Sequence, residues 1–359
     1  MEQMRAVRME RPAPGAARWR DDLPVPEPGP EEVRVRVERT AICGTDRHIV
    51  HWDPSVASMM NPPLVIGHEF CGTVESLGPG VEGWREGDYV SAEMHLVCGR
   101  CRACRAGNQH VCEHTRIAGV HRDGCFAEYV VLPAANLVRL DRDVVPPRIG
   151  SFLDALGNAV HTVQASSGVA GKHVLLSGYG AIGAMAAAVV EFLGAASLTI
   201  TEVQPRHLER ARAWIGGLSG RTEVRLHDPT AEADLARTIR EATSGGVDVV
   251  LEMSGAPAAI DLALETLYPA GELIQLGIPS RRDLTLERFS ERVIFKGLRL
   301  QGVLGRRMFS TWQEMLRLLG EGLAVEHVVS LELPMSEFSR GIELLDAGEA
   351  HKVVLDPTA

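Results

Sequence analysis

The sequence predicts an α/β fold in two parts, a compact β-rich domain followed by a doubly wound parallel sheet. Three observations carry that prediction. A chain of 359 residues is too long for one ordinary core. Its first 150 or so residues read as short strands divided by glycine-rich turns, with little helix. From His173 onward, short apolar runs alternate with helical patterns, which is the mark of βαβ units.

In chain order, the segment LPVPEPGPEE from Leu23 is proline-rich and cannot be helix. Residues 33–37 (VRVRV) alternate apolar and charged, the period of a half-buried strand. Residues 72–77, 88–92 and 127–132 are further strands, separated by turns such as GPGVEGWREGD. These give a barrel-like β domain. The pattern changes near residue 150. HVLLS (173–177) is a strand ending in GYGAIG, and a helix of small residues follows. Strands at 198–201, near Val224, at 247–253 and from Gly271 then alternate with helices at about 205–214, 231–243 and after 253. Beyond Leu300 come one helix (310–319) and a tail too small to fold alone, expected to return to the first domain. The expected domains are therefore 1–155 with 301–359, and 156–300.

Composition excludes several function classes. Hydrophobic residues make up 45% and charged residues 23%, as in an ordinary globular protein. Lys plus Arg is 37 and Asp plus Glu is 47, a net charge of −10. That balance leaves no overall basic footprint for nucleic acid or an anionic membrane. The opening MEQMRAVRME lacks the apolar core of a signal peptide. The most apolar stretch, 181–198, is interrupted by Glu191 and reads as a buried helix rather than a membrane span. A cytoplasmic protein is the expectation. Thiols stay reduced in that compartment, so seven cysteines, all within the first 125 residues, call for metal rather than disulfides.

Cys98, Cys101, Cys104 and Cys112 lie in one loop, CGRCRACRAGNQHVC. Four thiolates close a tetrahedral shell around zinc and leave no position for substrate, so this site would be structural. Cys71 and Cys125 have no such company and are expected to pack in the core. Cys43, His68 and Glu69, from TAICGTDRHIV and GHE, form a second set of three donors. Three protein ligands leave a coordination position open, as catalytic zinc requires. Zinc there would stabilise the charge left when an alcohol loses its proton. Thr45 can take that proton at its hydroxyl, and His48 can pass it to solvent. His51, His95 and His114 are expected at the surface or in loops, and Asp46 is expected only to hold its loop.

Gly178, Gly180 and Gly183 follow an apolar strand and open a helix, the context in which G-x-G-x-x-G binds a dinucleotide. The glycines allow the tight turn and close approach of the pyrophosphate to the helix N-terminus. Glu202 ends the next strand, where a carboxylate accepts hydrogen bonds from the ribose hydroxyls and repels a 2′-phosphate. NAD is therefore favoured over NADP.

Together these motifs resemble the zinc-containing medium-chain alcohol dehydrogenases over essentially the whole chain. In that family a GroES-like catalytic domain, completed by the C-terminal segment, flanks a Rossmann domain. TAICGTDRHI, GCFAEY, GNAVHT, LEMSGAP, LGIP and VIFKGLRLQGVLGRRMFSTW are similar to its L-threonine 3-dehydrogenase branch. The resemblance implies NAD-dependent oxidation of the 3-hydroxyl of L-threonine to 2-amino-3-oxobutanoate, usually in a tetramer. It also implies that Asp154 either ligates the catalytic zinc or orients a water bound to it. Toward NAD it points to Ile182, Leu276, Gly277, Ile278, Val303 and Leu304, with His207 where the family often has arginine. Ser330 and Leu331 depart from the Thr and His common at their positions. The alternatives are a polyol, cyclitol or other secondary-alcohol dehydrogenase, and, from another class, a noncatalytic zinc- and nucleotide-binding protein.

Overall fold

The computed structural model describes residues 2–279 and 283–359. It divides into two compact units, one made of Met1–Ala155, Arg307–Gly320 and Val329–Ala359, the other of Leu156–Arg306 and Glu321–Val328.

The first unit opens with β1 (Gln3–Met9), β2 (Ala17–Pro24), β3 (Glu32–Ala41), β4 (Leu64–Val65) and β5 (Phe70–Leu77). It continues with β6 (Tyr89–Ala92), β7 (His95–Leu96), β8 (Arg116–Ile117), β9 (Tyr129–Pro133) and β10 (Leu137–Arg139). The largest sheet is organised on β3, which pairs antiparallel with β5 and with β9. Its alternation does what the sequence predicts. Val33, Val35 and Val37 are buried in one core with Phe70, Val74, Val90 and Leu132. On the intervening residues, Arg34 pairs with Glu27 and Glu75. Full burial of a valine contributes about 1.5–3 kcal/mol, so the three together anchor the strand.

The second unit carries β11 (His173–Ser177), β12 (Ser197–Thr201), β13 (Glu223–His227), β14 (Val247–Glu252), β15 (Leu267–Gln275) and β16 (Arg299–Gly302). All pair in parallel in the order β13-β12-β11-β14-β15-β16. The strand order reverses between β11 and β14, and ligands of such sheets bind outside the carboxyl ends at that point. Helix Ala181–Phe192 is buried from Gly183 to Val190, because its small side chains let it lie close against the sheet. No helix among the described residues is long and apolar enough to cross a membrane. The helix expected from 231 starts at Leu235. Before it, Asp228 accepts hydrogen bonds from the backbone N–H (2.9 Å) and hydroxyl of Thr230, which makes a turn instead.

The chain ends on β17 (Val329–Pro334) and β18 (Lys352–Asp356). β18 pairs antiparallel with β3 through Val354↔Ala41 and Leu355↔Thr40, and β17 pairs with β18. Residue 301, where the sequence reading places the switch, falls inside β16. Gly302 stays opposite Gln275, and the N–H of Val303 donates to the carbonyl of Gln275 (2.9 Å), so the second unit runs on to Arg306.

Candidate active site

Cys43 caps the N-terminus of helix Gly44–Val50, with its own backbone extended. The carboxylate of Asp46 reaches back to accept the N–H of Cys43 at 2.8 Å. Its other oxygen stands 3.4 Å from Nδ1 of His68. Asp46 therefore holds its loop and also places a carboxylate oxygen beside an imidazole. His68 and Glu69 run directly into β5, and the donor atoms of Cys43, His68 and Glu69 all lie within 4.8 Å of one another.

Glu69 is fully buried. Its Oε2 pairs with the ammonium of Lys352, while Oε1 has no hydrogen-bond partner among the described residues. Nζ of Lys352 also donates to the carbonyl of Ile42 at 3.1 Å. Burial works against charge on Lys352, but the carboxylate beside it holds the ammonium above the ordinary lysine range. Burial likewise disfavours charge on His68, yet Asp46 and Cys43 keep its pKa well above the usual value. A thiol, an imidazole and a buried carboxylate oxygen that lacks a partner are a donor set that fits zinc.

The hydroxyl of Thr45 lies 4.0 Å from Sγ of Cys43. His48 is exposed on the same helix, its Nδ1 3.3 Å from Asp53. Burial raises the pKa of Glu69, and buried Asp154 adds to that in a smaller part, but Asp154 is not one of the three clustered donors.

Cys98, Cys101, Cys104 and Cys112 form the other donor group. Sγ of Cys112 is 3.6 Å from that of Cys98 and 3.9 Å from that of Cys101. A tetrahedron with Zn–S bonds of about 2.3 Å has edges of about 3.8 Å, so the spacing fits zinc. Backbone N–H groups of Cys98 (3.4 Å), Cys101 (3.3 Å), Cys104 (3.5 Å) and His114 (3.3 Å) point at these sulfurs. The N–H groups of Cys104 and Glu113 push Cys101 down to about 6, so its thiolate is present at neutral pH. Cys71 and Cys125 are fully buried, and burial pushes both up to about 12, which suits packing residues. Cys112→Ser should remove one zinc per chain and lower the unfolding temperature while the protein that stays folded keeps most of its turnover number. Metal analysis beside a thermal scan checks this.

Of the other histidines, His51 and His114 are exposed, as expected, and His95 departs. His51 is exposed and pairs with Asp346 at 2.7 Å. His95 is half-buried instead, with Nδ1 2.8 Å from the fully buried Glu93, whose second oxygen accepts the Trp312 indole N–H at 2.9 Å. Sequence spacing held no signal for that long-range arrangement.

In the second unit Gly178 has φ +93°, a backbone that glycine adopts freely. A Cβ on Gly183 would stand 2.0 Å from the carbonyl oxygen of Gly178, whereas one on Gly180 would meet nothing within 4 Å. The turn is thus packed beneath and open above, as close approach of a pyrophosphate requires. Ile182 is half-buried on the first helical turn.

Glu202 ends just past β12 and accepts N–H groups from Tyr179 (2.7 Å), Val203 (2.7 Å) and Gln204 (2.8 Å). Nδ1 of His207 lies 3.5 Å away. Burial raises its pKa, but His207 and those three N–H groups outweigh it and hold Glu202 at about 2. A folded value below the ordinary 4.5 means that the carboxylate stabilises the fold above that pH, a contribution lost as pH falls toward about 2. Glu202→Gln should therefore flatten the acid side of the unfolding-midpoint curve between about pH 4.5 and 2. Leu276, Gly277 and Ile278 follow β15, and Val303 and Leu304 follow β16, at the carboxyl end of the sheet. Ile278 is 84% exposed and Leu304 56%, apolar surface of the kind that ligands cover.

Residues 29–142 match the family model of the alcohol dehydrogenase GroES-like domain, and residues 181–321 that of the zinc-binding dehydrogenases. The chain is 39% identical to L-threonine 3-dehydrogenase of Proteus mirabilis, over 98% of its own length and 99% of the relative's. It is 40% identical to L-threonine 3-dehydrogenase of Escherichia coli (strain SE11), over 94% and 95%. Among solved structures it is similar to an alcohol dehydrogenase from Thermus sp. ATN1, with a TM-score of 0.86 and 30% identity over 98% and 99% of the two chains. It is also similar to a zinc-binding dehydrogenase from Sinorhizobium meliloti 1021 bound to NADP, with a TM-score of 0.87 and 28% identity over 99% and 100%.

Proposed function

We propose that this chain, which belongs to the zinc-binding alcohol dehydrogenase family with a GroES-like domain, oxidises the 3-hydroxyl of L-threonine with NAD to give 2-amino-3-oxobutanoate. The observation that carries the reaction is the convergence of Cys43, His68 and Glu69, with one buried carboxylate oxygen lacking a hydrogen-bond partner among the described residues. The substrate rests on relatives of that name that align with nearly its whole length.

Cys43, His68 and Glu69 would hold zinc, which supplies Lewis acidity that eases loss of the hydroxyl proton. Thr45 takes that proton at Oγ1, and His48, exposed on the same helix, releases it to water. The C3 hydride leaves with its electron pair for NAD, and a C=O bond replaces the C–O bond. Asp154, buried and outside the three clustered donors, would orient a water near the metal rather than ligate it. Glu202 takes the adenosine ribose and disfavours a 2′-phosphate, with His207 beside it. Cys98, Cys101, Cys104 and Cys112 would hold the structural zinc. A cytoplasmic setting suits seven unpaired thiols, and a homotetramer is the assembly we propose.

NADH absorbance should rise when the protein, zinc and NAD are mixed with L-threonine. Turnover of a polyol or cyclitol with none of L-threonine would move the assignment to that branch. Turnover of no alcohol, with one zinc per chain, would support a binding protein.

A further inference from the structure

Glu252, the last residue of β14, is a fully buried carboxylate that the reaction above does not use. Among the described residues, no cation is one of its hydrogen-bond partners. One oxygen accepts the N–H of Ser254 (2.9 Å), the Ser254 hydroxyl and the N–H of Gly255 (3.1 Å). The other accepts the same Gly255 N–H (2.9 Å) and the Gln275 side-chain amide. That amide also donates to the carbonyl of Gly277 at 2.7 Å. The backbone carbonyl of Glu252 accepts the N–H groups of Leu276 (2.9 Å) and Gly277 (3.0 Å). One residue thus gathers the loop after β14 and the loop after β15.

The two loops meet without slack. A Cβ on Gly277 would stand 2.2 Å from the nitrogen of Gly255 and 2.6 Å from the Glu252 carboxylate. One on Gly255 would stand 2.4 Å from the carbonyl oxygen of Ile278. Burying a carboxylate without a cation is costly, and each described group that hydrogen-bonds to this one is a donor. Only an all-acceptor side chain satisfies them, so the charge fixes both loops in one arrangement.

The sheet order says what that arrangement serves. Glu202 follows β12 and the glycine turn follows β11, while the Glu252 loops lie on the opposite side of β11. With the adenosine ribose at Glu202 and the pyrophosphate at the turn, the nicotinamide half falls over the loops after β14 and β15. We propose that Glu252 is a positioning residue for the nicotinamide half of the cofactor, acting through the loop Leu276, Gly277 and Ile278. The proposal rests on the NAD reading above.

Glu252→Gln keeps the size but turns an amide N–H₂ toward donors. NADH titrated by fluorescence should bind about tenfold more weakly, while ADP-ribose, which lacks nicotinamide, binds as before. KM for NAD should rise and KM for the alcohol should stay. Gln275→Met leaves the carboxylate in place but removes the amide that ties it to the carbonyl of Gly277, and should weaken NADH alone by about threefold, which carries the test if the first variant does not fold. Unchanged NADH binding in the folded variants, or equal loss of NADH and ADP-ribose, would overturn the proposal. A wild-type protein that binds neither ligand would overturn the NAD reading and the proposal with it.

Discussion

Cys43→Ser is expected to lower kcat/KM by about a thousandfold or more and to remove one zinc per chain, leaving the fold nearly as stable as before. A serine hydroxyl is a poor substitute for a thiolate at zinc, so the donor set drops to His68 and Glu69. Metal Lewis acidity contributes several kcal/mol to the transition state, and about 4 kcal/mol corresponds to a factor of about a thousand. The fold should survive, because Asp46 holds this turn through the backbone N–H of Cys43, which the substitution leaves in place. The zinc that remains would be the one on the four-cysteine loop. Atomic-absorption analysis beside steady-state rates decides the matter. Full zinc content with unimpaired turnover would show that Cys43 is not part of the reaction centre.

Local patterns were legible in the sequence, and long-range pairs were not. The four cysteines announce themselves by spacing in one loop, and β11 runs over the five residues that its apolar pattern marks. The N-terminal hairpin of β1 and β2 was harder to see. QMRAVRM and ARWRDDLP carry charges at strand positions and pair with each other, the first also with β4, supplemented by Arg8–Glu10 and Arg20–Glu10 ion pairs. Around the metal donors the same division holds. CGTD and GHE mark Cys43, His68 and Glu69, but nothing beside Lys352 in HKVVL tells an exposed lysine from a buried one. Its partner Glu69 is brought to it only when β18 pairs with β3. His95 misleads for a like reason, since Glu93 is oriented by Trp312 from the far end of the chain.

Lys352 accordingly gives the second large expected effect. Lys352→Met should destabilise the protein by about 3–5 kcal/mol, the usual result of removing one member of a buried ion pair. Side-chain exposure is 3% for Lys352 and 0% for Glu69, so solvent does little to screen the charge left behind. The substitution also frees the carbonyl of Ile42, the residue before Cys43, from its 3.1 Å hydrogen bond. Strand β18 thereby loses a polar tie to the segment that presents the thiol, and zinc affinity should fall along with stability. Denaturant titration of wild type, Lys352→Met, Glu69→Gln and the double variant forms a cycle that isolates the pair. The double variant should be more stable than Lys352→Met alone, because a neutral amide costs less to bury than an unpaired carboxylate. If Lys352→Met costs the same whether residue 69 is Glu or Gln, the lysine acts through packing and the Ile42 carbonyl, and the ion pair contributes nothing to the centre.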